Sequence, residues 1–349
     1  MHAKCVKHGF SGTAVWNKEI KAVVGMVVSI DTSDNRTTTY MIPASQLIKA
    51  WPELGKQRKA GDHAKVDSER RPRESFIYFL PYLSDRSQQA DRLELTLDEC
   101  EDCLHEKPLV SIIHGDEKEC HDKFIKRLHE VMLPQMLCEP GRVHVDLTMV
   151  EWPSMKEDIK MRCKKLTNNI SKALTGSRRA NAGEIKEALN RKISPQMIYF
   201  TLPVAAWEEN EAELVKYWLQ YWNEFPDLNA GRKLMVFLCM KYKHIADNHA
   251  EGSEMYRKKN DAARHFIHAL QYVEYANIIG LTLDELQAVA WGDVDMWITT
   301  YAEKFCNDTE LRTRAMDYYK NREKVPMLEL AEKLEHLLSE TWRKEGSFV

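Results

Sequence analysis

Four short apolar runs separated by helical patterns constrain this chain more than any other feature. The runs are Leu109 to Ile113, Val143 to Leu147, Met197 to Leu202 and Leu234 to Cys239. Helical periodicity fills the intervals: Ser87 to His105, Glu119 to Met132, Lys156 to Leu174 and Glu208 to Asn223. Buried strands alternating with helices predict an α/β fold, a mostly parallel sheet with flanking helices. Thr175 to Ala182 is a polar break with Gly176 and Gly183 beside it. Beyond about Glu254 the pattern reads as helical to the end, with turns at Gly280 and Gly292, so a C-terminal helical region is expected.

The first fifty residues differ. Ala22 to Ile30 and Thr37 to Ile42 read as strands around a polar turn, Asp31 to Asn35, and Ser45 to Trp51 as a short helix. Gly55 to Ser75 is dominated by charge and lacks apolar periodicity, the signature of a linker. A length of 349 residues suits about two domains. The expected division is a small β segment over 1–54, a linker over 55–75, an α/β domain over 76–250 and its helical part over 251–349.

Charge and cysteine usage exclude several function classes. A formal net charge of -3 supplies no general attraction to nucleic acid or anionic membrane, so neither is an expected partner. There is no run of eighteen apolar residues and no apolar stretch near Met1, so a cytoplasmic protein is expected. The eight cysteines then read as reduced thiols. Cys100 and Cys103 form a C-x-x-C pair with His114, Cys120 and His121 downstream, which zinc could use. The pair falls inside the helical pattern Leu93-Leu97-Cys100-Leu104, so packed or surface thiols are the preferred reading, with no metal or cofactor.

Gly9-Phe10-Ser11-Gly12, followed by Thr13 to Trp16, the Gly25-containing strand and the segment Tyr40 to Trp51, resembles the C-terminal part of trypsin-like serine peptidases. The resemblance covers about residues 5 to 54. It implies Ser11 as nucleophile and the N–H groups of Gly9 and Ser11 as an oxyanion hole. In that family the base precedes the serine. Only His2 and His8 do so here, and neither matches the family's base. An endopeptidase would need a further barrel, so the serine alone lacks its activator.

Leu80 to Arg86, LPYLSDR, and His114-Gly115-Asp116-Glu117 with the following ECHDKFIKRL resemble the inactive STAND family, a branch of signal-transducing P-loop ATPases that has lost its catalytic loops. Leu283 to Trp297 resembles the helical part of the same family, so the likeness spans roughly residues 74 to 340. It implies a P-loop NTPase-like fold and a role in bacterial conflict systems, with other signalling proteins as partners. The residues support the loss independently. A P-loop needs a glycine-rich turn, a phosphate-binding Lys and a magnesium-binding Ser or Thr. The turn after Leu109 to Ile113 offers one glycine, the acids Asp116, Glu117 and Glu119, and Lys118 followed by no hydroxyl. A carboxylate there competes with phosphate for the same N–H groups, and helix capping is its simpler role. The strand Met197 to Phe200 ends in Thr201-Leu202-Pro203, where a magnesium-binding acid belongs. The aromatics Trp207, Tyr217, Trp218, Tyr221 and Trp222 fit core packing better than nucleic-acid stacking. The leading expectation is a non-hydrolysing recognition scaffold coupled to a peptidase module. The alternatives are an endopeptidase and a nucleotide-binding switch without hydrolysis.

Overall fold

A computed structural model describes residues 14–17, 22–31, 38–43, 80–100, 103–137, 144–154, 157–229, 231–245, 253–300 and 308–345. The chain divides into two compact units, Met1–Glu74 and Ser75–Val349.

In the first unit, β1 (Ala14–Asn17), β2 (Ala22–Asp31) and β3 (Thr38–Pro43) form an antiparallel three-stranded sheet in chain order. Both junctions carry a register shift, the second between Val27 and Ser29. The expected helix Ser45 to Trp51 and the charged stretch 55–75 lie outside the described residues.

The second unit opens on a 3₁₀ turn, Leu80–Leu83, and α1 (Ser87–Glu99). The helix stops six residues earlier than its periodicity suggests, and Cys103–His105 form a separate 3₁₀ turn. Next come β4 (Leu109–Asp116), a 3₁₀ turn at Glu117–Glu119 and α2 (His121–Arg127). A π turn, Leu128–Met132, continues α2 into a last helical turn, Leu133–Met136. Pro134 explains the widening, because it has no N–H to give the carbonyl four residues back. Then follow β5 (Asp146–Val150), α3 (Ile159–Thr175), α4 (Ala182–Asn190), β6 (Gln196–Pro203), α5 (Glu209–Asn223) and β7 (Leu234–Tyr242). Helix α4 begins at a capping box in which Asn181 and Glu184 satisfy each other's backbone N–H groups.

The expectation that the chain after Glu254 is helical apart from turns at Gly280 and Gly292 is corrected. After α6 (Ser253–Ala269) the chain forms β8 (Ile279–Thr282) and β9 (Val289–Ala290). Then come α7 (Trp291–Thr300), α8 (Asp308–Tyr319), β10 (Lys324–Val325) and α9 (Met327–Glu345). Gly280 is no turn. It sits inside β8, and a Cβ there would lie 2.0 Å from the Tyr272 ring, which is why the position needs glycine. Gly292 likewise belongs to the first turn of α7.

Five strands form one fully parallel sheet in the order β5-β6-β7-β4-β8. Alternation along each strand divides its side chains between two cores. Val110, Ile112, Ile198, Phe200, Val236 and Leu238 pack with the aromatic side chains of α5, where Trp218 and Trp222 are fully buried. Leu109, Ile113, Met197, Met235 and Phe237 pack with α1 and α2 on the other face. A third cluster joins Leu80 and Leu83 to α7, α8 and α9. No helix among the described residues is long and apolar enough to cross a membrane.

Candidate functional site: the turn after β4

β4 lies between β7 and β8, so its C-terminal end opens where strand order reverses, the place where open parallel sheets bind ligands. Gly115 is required there by close approach. A Cβ would stand 2.6 Å from the carbonyl oxygen of Leu286, which pairs with Gly115 in an isolated parallel bridge. The N–H of Leu286 donates to the carbonyl of His114 at 2.7 Å. The single glycine of the turn thus admits the segment after β8.

Each acid of the turn has a partner within the chain. Asp116 Oδ1 accepts from the N–H of Lys118 at 2.9 Å and caps the 3₁₀ turn, while its Oδ2 meets His244 Nδ1 at 3.0 Å. Glu117 Oε1 accepts from Lys243 Nζ at 2.7 Å and from the N–H of His244 at 3.2 Å. The ion pair raises the Lys243 ammonium pKa above its ordinary value. His114 is buried and shares a 2.8 Å hydrogen bond with the Tyr242 hydroxyl. Its pKa is lowered, chiefly by burial.

Glu119 is the centre of the arrangement. Only 3% exposed, its Oε2 accepts from Arg86 Nη2 at 2.9 Å and from the N–H of Met327 at 3.3 Å. Burial raises its carboxyl pKa, against the opposing pull of Arg86. Arg86 is itself 2% exposed; it also donates to Asp85 Oδ2, to the carbonyl of Gln287 and to that of Glu119. One guanidinium therefore ties the start of α1 to the turn after β4 and to the chain after β8, and the carboxylate extends the tie to the start of α9. Arg86 and Cys120 have φ of 85° and 55°, the two positive-φ non-glycine residues among those described. Such backbone is sparsely populated and persists where surroundings over-determine it. The Cys120 thiol is buried and its pKa is pushed up to about 12, mainly by loss of hydration. His121 is fully buried, which drives its imidazole pKa down to about 3, with the charge of Lys241 adding to the effect.

The C-terminal end of β6 is apolar. Thr201-Leu202-Pro203 leads into the 3₁₀ turn Val204–Ala206, with Val204 fully buried and Trp207 packed 5.5 Å from the Phe266 ring. The first acid beyond the strand, Glu208, has a 67% exposed side chain lying 4.0 Å from Lys259. The aromatic residues of α5 divide by position. Trp218 and Trp222 fill the core with Phe200 and Phe225, whereas Tyr217 is exposed and hydrogen-bonds Thr167.

The alternative zinc set does not converge. Cys100 and Cys103 precede β4, whereas His114, Cys120 and His121 stand at or beyond its far end. Leu109 to His114 alone spans about 17 Å at the rise of a parallel strand. Ser11 and Gly9 lie outside the described residues. Sequence reasoning missed Arg86, Lys243, His244 and Met327 as partners of the turn, because the contacts join residues up to 208 apart in sequence.

Residues 81–240 match the family model described as inactive STAND, and the match does not extend to residues 1–54. No curated protein matches the chain. Among solved structures, the chain is similar to Aeropyrum pernix ORC1 in complex with DNA, at 11% identity and a TM-score of 0.37 over 73% of this chain and 60% of that one. It is also similar to Aeropyrum pernix ORC2 in its ADPNP-ADP complexes, at 13% identity and a TM-score of 0.36 over 74% and 69%. A chain of Drosophila ORC bound to AT-rich DNA and Cdc6 matches at 11% identity and a TM-score of 0.39 over 90% and 45%. The chain thus spans 60% of the Aeropyrum pernix ORC1 chain and 45% of the Drosophila one. Similarity at this level assigns no DNA contact and no nucleotide to this protein. The segment 81–240 is thus similar to the inactive STAND family.

Proposed function

We propose that the unit from Ser75 onward is a non-hydrolysing recognition or signalling scaffold of a bacterial conflict or defence system, acting through protein partners. One observation carries the reading: the turn after β4 spends its acids and its glycine on the chain's own groups, with Glu119 held by Arg86 and the N–H of Met327. A phosphate entering there would meet the carboxylates of Asp116 and Glu117 and would have to displace a buried ion pair. The apolar end of β6 removes the second requirement, an acid to hold magnesium.

The test is phosphate release from ATP and GTP with magnesium, together with thermal melting in the same nucleotides. The expected result is no release above that of Lys118→Ala and no change in melting temperature. Turnover lost in Lys118→Ala would overturn the scaffold reading. A melting shift without turnover would replace it with a nucleotide-binding switch. The peptidase coupling rests on the sequence resemblance of residues 5–54 alone and stands outside this proposal. Fluorophosphonate labelling tests it separately, and labelling abolished by Ser11→Ala would reinstate it.

A further inference from the structure

β5 is an outer strand of the parallel sheet, and its outer edge has a definite pattern. The N–H of Asp146 donates to the carbonyl of Pro195, so Asp146, Thr148 and Val150 turn their backbone groups toward β6. Along a strand these directions alternate. Val145, Leu147, Met149 and Glu151 therefore turn theirs outward. The outer carbonyls at the two ends are taken: His129 Nε2 donates to that of Val145 at 2.7 Å and Asn169 Nδ2 to that of Glu151 at 2.9 Å. Among the described residues, Leu147 and Met149 lie between these caps with no partner for their outer N–H and C=O groups. They are also the strand's exposed large side chains, 37% and 65% accessible, on the same face of the sheet.

We infer that this edge is an interface through which two copies of the chain pair antiparallel about a two-fold axis at Thr148. The edge is symmetric about that residue. Leu147 and Met149 flank it by one position, and the capped carbonyls of Val145 and Glu151 flank it by three. In that register Leu147 of one copy opposes Met149 of the other, both with outward backbone groups, and each such pair forms two hydrogen bonds. Four exposed apolar side chains come together on one face. On the opposite face Thr148 meets its own copy in a non-hydrogen-bonded pair, a favourable cross-strand partner. Asp146 faces Val150 rather than another acid. This is the isologous contact that two-fold dimers require. The other outer strand, β8, has only four residues.

The experiment is sedimentation velocity of the full chain across the micromolar range, with Met149→Lys and Thr148→Cys. A charge on an exposed strand edge opposes edge pairing without touching the core. Met149→Lys should weaken association by at least about tenfold while leaving the thermal melt unchanged. Thr148→Cys places two thiols about 4.5 Å apart at Cα, within disulfide reach, so mild oxidation should give a covalent dimer that the unsubstituted chain does not form. A chain that stays monomeric, or a dimer indifferent to Met149→Lys with no cross-link at Thr148→Cys, overturns the proposal. Monomers that bind an added extended peptide at this edge overturn it equally, in favour of a different partner.

Discussion

The ends of β4 and β6 are built in opposite ways. At β4 the turn is a charged clasp, with Arg86, Glu119 and the N–H of Met327 meeting below the surface. At β6 the strand runs into the apolar core through Val204 and Trp207. The first uses polar groups and makes them depend on one another across the chain. The second depends only on local packing. A buried ion pair is costly to break from one side, whereas an apolar site loses stability in proportion to the volume removed.

The largest effect is therefore expected at the clasp. Arg86→Ala leaves the Glu119 carboxylate buried without its cation and should cost about 3–5 kcal/mol in urea unfolding. Adding Glu119→Gln should recover part of that loss, since a neutral side chain no longer needs the cation. Equal losses in the single and double variants would mean that packing of Arg86, not its charge, holds the clasp.

Acid should be the next most damaging challenge. The imidazole of His121 is neutral in the fold, with its pKa depressed to about 3 first by burial, and unfolding returns it to ordinary values. Its contribution is present above about pH 6.5 and is lost as pH falls toward 3. His114 adds to the loss in the same direction. Stability measured by urea between pH 7 and 4 should fall more steeply for the unsubstituted chain than for His121→Phe. Parallel curves would show that His121 is hydrated and not part of the buried clasp region.

At β6, Val204→Ala removes two buried methyl groups and should cost about 2 kcal/mol, independent of pH. A larger loss than at Arg86 would invert the comparison. The smallest effect is expected from Glu117→Gln, which removes a pair whose side chains are about 40% exposed. It should change stability by less than about 1 kcal/mol and fade further in salt.

Much of the architecture was legible in sequence. The β4, β6 and β7 runs lie within the strands they predicted, because buried parallel strands read as continuous apolar stretches. β5 starts three residues later than its run suggests. β8 was invisible. A four-residue strand with a central glycine looks like a turn until Tyr272 is seen lying against it. α4 was also missed, although its Asn181-x-x-Glu184 signature was available. At the turn after β4, sequence alone showed one glycine and a surplus of acids. It could not show their partners. Arg86 stood within a noted motif, but its hydrogen bonds to Glu119 and Gln287 depend on the chain returning from 33 and 201 residues away.

β8 lies beyond the recognisable part of this protein, yet it pairs with a strand inside it. The family match ends at residue 240, before the strand that covers the outer side of β4 and before the residues that complete the clasp. A polypeptide cut at that boundary would expose β4 as a raw, largely apolar edge, the kind of strand that templates aggregation. Glu119 would lose the N–H of Met327, and Arg86 would lose the carbonyl of Gln287. The family match and the contacts thus draw different borders in one chain: residues 81–240 are expected to need the hundred residues that follow them.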